Sequence, residues 1–153
     1  MNKFMAISIT LDQVLPQDLL EETTVDLISN IPREEIVYFR AHDKHTAMGD
    51  ISAQFPHLKT LHLVGVPLSA AFPKPTLDNH GKILPSLQHI TLDWVVVHNN
   101  DWNLLKNFLS SRAFSGSEVD TLEIIGSYDM HPRIFRSIEG KVRKFRAPRA
   151  SSY

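Results

Sequence analysis

Apolar residues recur along this chain in a six-residue pattern, apolar at the first, fourth and sixth places. Leu58, Leu61 and Leu63 form one copy, Leu87, Ile90 and Leu92 a second, and Val119, Leu122 and Ile124 a third. The copies start 29 and 32 residues apart, the signature of one supersecondary unit used repeatedly. Phe4, Ile7 and Ile9 match the pattern again, and Val142 with Phe145 starts a terminal strand. Residues 36–39 are dense in β-branched and aromatic side chains and read as a strand, with Arg33 at the first place of a degenerate copy.

Between these segments the period changes to that of a helix. After Pro16, residues 17–30 place Leu19, Leu20, Thr23, Leu27 and Ile28 on one face, and Asn30 with Pro32 ends the run. Residues 47–55 allow a short helix or turn before Pro56. From 65 to 84, Pro67, Pro73, Pro75 and Gly81 leave only residues 68–72 able to form a helical turn, and so long a connection is functional or mobile. Residues 100–112 make the clearest helix, with Trp102, Leu105, Phe108 and Leu109 on one stripe, Asn100 or Asp101 placed to cap it, and a turn at 115–117 to end it. Pro132 opens a last helix with Ile134, Phe135, Ile138 and Val142 as its apolar face. The strand at 87–92 is expected to run on toward Val97.

No Asn-Gly turn joins consecutive strands, and connections of this length predict parallel pairing with helices or loops on the outer side. The expected fold is therefore α/β. It is a leucine-rich-repeat-like solenoid of about five or six short parallel strands, with helices and loops on the convex side. It forms one domain over residues 1–147, followed by a disordered basic tail at 148–153.

Composition narrows the function classes. A chain of 153 residues, 42% hydrophobic and 22% charged, can bury one sizeable core without staples. The absence of cysteine excludes disulfides, thiol nucleophiles and cysteine-ligated zinc, and fits a reducing compartment. The first residues are too short and mixed for a signal peptide, and no apolar run approaches the roughly 18 residues of a membrane span. The expected location is the cytoplasm or nucleus, with no membrane partner. A net charge of −1 hides a split: residues 133–153 carry seven cations and one acid, while residues 1–132 carry nine cations and sixteen acids.

The repeated strands, together with Phe55-Pro-His-Leu58, Leu84-Pro-Ser-Leu87, the helix at 101–113 and the closing segment 136–142, resemble the C-terminal part of fungal F-box and leucine-rich-repeat-like proteins. The resemblance covers about residues 31–147. Regular leucine-rich repeats carry asparagine or cysteine at the places held here by Val66, Val95 and Ser127, so an irregular repeat is expected. The family's F-box binds the Skp1 adaptor of a ubiquitin ligase, and its repeats are taken to hold the substrate. No F-box is expected ahead of the first repeat, so the resemblance implies the repeat surface and not the Skp1 contact.

In such a strand the places between the apolar ones line the exposed sheet face. Glu34, Glu35 and Val37, then Lys59, Thr60 and His62, then Gln88, His89 and Thr91, and then Asp120, Thr121 and Glu123 would stand there. This polar, mixed-charge surface suits a polypeptide partner better than a small molecule, and the competing reading is a plain solvated surface. Partner contact is expected of Glu35, Lys59, Thr60, His62, Gln88, His89, Thr91, Asp120 and Glu123.

Other chemistry has less to stand on. His42 and His45 flank Asp43 but lack a second ligand cluster, and His57 and His62 lack the H-E-x-x-H spacing. No G-x-S-x-G elbow or P-loop is present. No catalytic residue, cofactor or metal is therefore assigned. The basic stretch 141–149 suits phosphate contact or nuclear import, but also a charged cover for a sheet edge, so nucleic acid stands second to a protein partner. Trp94 and Trp102 are both expected to be buried.

Overall fold

The computed structural model describes residues 5–10, 36–42, 55–72, 84–98, 101–126 and 132–147. Its strands are β1 (Met5–Thr10), β2 (Ile36–His42), β3 (Thr60–Val64), β4 (His89–Asp93), β5 (Val119–Gly126) and β6 (Val142–Arg146). They form one sheet in chain order, and every neighbouring pair is parallel. Helices α1 (Leu68–Ala71), α2 (Trp102–Phe114) and α3 (Pro132–Glu139) follow β3, β4 and β5 in turn. The α/β class and the parallel sheet thus match the periodicity. The helix expected at 17–30, all but the last residue of the segment 47–55, and the tail at 148–153 lie outside the described residues.

The repeat reappears as a repeated set of hydrogen bonds. Leu58 N–H donates to the Phe55 carbonyl at 3.2 Å and Leu87 N–H to the Leu84 carbonyl at 3.1 Å. Pro56 and Pro85 occupy the second place of these turns, where a fixed φ near −65° suits the backbone. The Lys59 carbonyl then accepts from Gln88 N and His89 N, both at 2.9 Å. Likewise the Gln88 carbonyl accepts from Asp120 N at 2.9 Å and Thr121 N at 3.0 Å. β4 and β5 therefore start on the same two-to-one contact with their predecessors, while β3 starts on the single bond from Lys59 N to the Val37 carbonyl at 2.9 Å.

The strand ends match as well. Gly65 (φ 66°) and Trp94 (φ 50°) both take a left-handed backbone one residue past β3 and β4. Val66 and Val95 follow and are fully buried. Trp94 thus ends β4 at Asp93, and the run toward Val97 is not a continuous strand. Instead Val96 pairs in parallel with Pro67, through Val96 N to the Val66 carbonyl at 3.2 Å and Leu68 N to the Val96 carbonyl at 3.0 Å.

One sheet face carries the core. Phe39, Leu61, Leu63, Ile90, Leu92, Leu122 and Ile124 are buried together with Trp102, Leu105 and Leu109 of α2 and Ile138 of α3. Fully burying one such side chain contributes about 1.5–3 kcal/mol, so this shared layer fixes which face the helices cover. The start of α2 differs from expectation, since Asp101 makes no capping bond and its carboxylate instead accepts from His98 N at 3.2 Å. Its end is a Schellman turn: Gly116 is left-handed (φ 74°), Ser117 N reaches the Arg112 carbonyl at 3.0 Å, and Gly116 N reaches the Ala113 carbonyl at 3.2 Å. Val142 does not extend the face of α3, which ends at Glu139, but opens β6.

Candidate interaction face

The strand register puts the outward side chains in rows. Tyr38, Thr60, His89, Thr121 and Lys144 are aligned across β2 to β6. Next along the strands, Arg40, His62, Thr91, Glu123 and Arg146 form a second row. Val64 and Asp93 follow in a third, with the buried Gly126 backbone of β5 opposite Asp93. These positions alternate with the buried ones, so they stand on the face opposite α2 and α3.

Charge converges on His62. Its Nδ1 lies 3.5 Å from the Tyr38 hydroxyl, and its Nε2 lies 3.9 Å from Asp93 Oδ2, too long for a hydrogen bond. Burial, then the neighbouring Arg40 guanidinium, push the His62 pKa below its ordinary 6.5, while Asp93 and Glu123 pull it upward. The imidazole is therefore neutral at pH 7. Its Nε2 and the Arg40 Nε are covered and make no hydrogen bond, so the floor keeps unused donor and acceptor capacity.

The far rim is apolar. Between Leu92 and Asp93 the register against β5 slips by one residue, pairing Leu92 with Ile124 and Asp93 with Gly126. Ile125 keeps the outward alternation of Thr121 and Glu123 and is 48% exposed. Trp94, expected in the core, is 50% exposed. Its ring lies over Gly126, where an added Cβ would stand 2.5 Å from Trp94 Cε2. The apolar run after Asp93 suggested burial, but the left-handed turn at Trp94 carries the side chain onto the outer surface. Trp102 is buried as expected.

Of the residues expected to meet a partner, Thr60, His62, His89, Thr91 and Glu123 stand on this face. Lys59 and Gln88 are exposed at the strand starts, where their backbones make the doubled contacts. Asp120 lies half-buried at the start of β5 and is engaged by Arg143 Nη1 at 3.2 Å. Glu34 and Glu35 lie outside the described residues. Sequence reasoning missed Tyr38, Arg40, Asp93, Trp94, Ile125, Lys144 and Arg146. Extending the two-residue alternation would have found four of these, Asp93 after Thr91, Ile125 after Glu123, and Lys144 and Arg146 on the last strand, whereas Tyr38 and Arg40 require the β2 copy to start at Ile36 and not at Arg33.

The other candidates do not come together. His57 is exposed in a Pro turn and His62 lies on a strand, while His45 is outside the described residues. Among the described residues no group of three or more His, Cys, Asp or Glu could hold a metal ion, and no helix is long and apolar enough to cross a membrane. Comparison with protein-family models, with curated proteins and with solved structures finds no match.

Proposed function

We propose that this chain is a non-enzymatic, leucine-rich-repeat-like recognition module whose outward sheet face holds a polypeptide partner. The observation that carries this reading is the aligned register, which sets Thr60, His62, His89, Thr91, Thr121 and Glu123 in rows on the face away from the helices. Parallel strands in chain order, with pattern copies starting 29 and 32 residues apart, support a solenoid, in which neighbouring repeats share one broad binding surface. The exposed Trp94 and Ile125 beside a polar floor suit an interface with an aromatic anchor and a polar surround.

Holding a substrate for a ubiquitin ligase is the most specific form of this reading, and it draws on the resemblance alone. The chain has no cysteine, so a photoreactive group can be placed on a single introduced one. A partner captured from cell extract should cross-link from His89→Cys and not from Asn107→Cys on α2, and the reverse outcome would reject the reading. Skp1 among the captured proteins would support the ligase form. A nucleic-acid-associated role is the alternative, motivated by the exposed cations of α3 and β6, and it requires binding that falls steeply with salt.

A further inference from the structure

The last strand has an edge of distinct chemistry. β6 stands at one end of the strand order, and among the described residues no strand lies beyond it. Its inner edge pairs with β5, setting Lys144 opposite Thr121, Phe145 opposite Leu122 and Arg146 opposite Glu123. Alternate backbone N–H and C=O groups of such an edge strand point away from the sheet.

The side chains say what could complete that edge. Lys144 and Arg146 are exposed on the open face, while Phe145 points to the core side and is only half-buried. Its ring centroid lies 5.7 Å from that of Phe135 on α3, so a partly covered aromatic pair flanks the edge. On the β5 side the cations of β6 meet acids: Arg143 reaches Asp120 at 3.2 Å and Glu118 at 3.5 Å, and Arg146 faces Glu123. On the outer side no described strand supplies such acids.

We infer that the outer edge of β6 accepts an extended polypeptide segment of acidic–apolar–acidic pattern as an additional strand. Its acidic side chains lie against Lys144 and Arg146, and its apolar side chain covers Phe145 and Phe135. Backbone hydrogen bonds supply the general affinity and the alternating side chains supply the selection. Exposed lysine and arginine on an edge normally discourage pairing. Here they repel basic strands and leave acidic ones admissible, which is selection by charge. A second copy of this chain is a poor occupant, because β1, the strand at the other end of the sheet, reads Met-Ala-Ile-Ser-Ile-Thr and carries no acid. The inference concerns the backbone edge and does not depend on the face reading.

The test is amide exchange followed by NMR on the whole chain. Three probes are added separately: a capped peptide alternating glutamate and valine, its lysine–valine counterpart, and a short single-stranded oligodeoxythymidine. The glutamate peptide should slow exchange across residues 142–146, with binding that weakens as salt is raised. Combining Lys144→Glu with Arg146→Gln should weaken that peptide on the order of tenfold and let the lysine peptide protect instead. Lys144→Gln with Arg146→Gln, which introduces no repulsion with Glu123, should weaken the glutamate peptide alone. Equal protection by both peptides, protection by neither, or protection of residues 142–146 by the oligonucleotide equal to that by the glutamate peptide would each overturn the inference.

Discussion

His62 sits where the charges of the open face meet, with Arg40 on one side, Asp93 and Glu123 on the other, and the Tyr38 hydroxyl near its ring. Because burial and Arg40 lower its pKa from 6.5, the effect on stability has a definite sign. Above pH 6.5 the imidazole is neutral both folded and unfolded. As pH falls the unfolded chain takes the proton first, so stability present at neutral pH is lost through 6.5 and on through the lower folded value. Urea unfolding of the wild type and His62→Gln should therefore diverge in this window, with the wild type losing more; parallel curves would contradict the placement. Trp94 offers a sharper test. Gly126→Ala pushes a methyl into the indole at 2.5 Å, so it should destabilise the fold by about 1–3 kcal/mol. In a Trp94→Ala background the penalty should nearly vanish, and an equal penalty in both backgrounds would show that the ring is not there. The exposure of Trp94 was illegible in the sequence because Trp94-Val-Val-Val reads as a buried strand, and one left-handed φ reverses where the first side chain goes.

At the scale of elements, the two helix ends give a matched pair. Gly116 closes α2 with a φ of 74°, whereas Gly140 after α3 is not left-handed, and an added Cβ there meets nothing within 4 Å. Gly116→Ala should thus lower stability by about 1 kcal/mol, while Gly140→Ala should stay within about 0.5 kcal/mol of the wild type; thermal melts of the two variants decide. Near the same turn Arg112 is 2% exposed and spends one hydrogen bond, 2.7 Å, on the Leu87 carbonyl, tying α2 to the turn ahead of β4. Its Nε and Nη1 stay unbonded, and burial lowers its pKa. Strands were the legible elements. Copies at Leu58, Leu87 and Val119 mark β3, β4 and β5, because alternation at two residues is incompatible with a helix. Val142 misled because it lies four residues after Ile138, which satisfies the helical period just where the chain has already turned at Gly140. β2 runs three residues past the expected Phe39, and so Arg40 was missed from the face.

At the scale of the molecule, among the described residues the parallel, chain-order sheet has two unlike faces. One side is closed by α2 and α3 over a shared core, and the other presents aligned polar rows with Trp94 and Ile125 at the rim. The order of strands was legible because no hairpin turn separates the copies. Which outward residues sit side by side was legible for β3 to β6, because the copies starting at Leu58, Leu87, Val119 and Val142 align in the observed register; it was not for β2, whose copy starts at Ile36 and not at Arg33. The central claim is that recognition happens on the open face. The most direct measurement is the ratio of partner cross-linked from a photoreactive group at position 89 to that from one at position 107, both in otherwise cysteine-less chain. Recognition by the face predicts that cross-linking from position 89 clearly exceeds that from position 107, which lies on the helix side of the sheet. A ratio near one, or cross-linking from 107 alone, would contradict it.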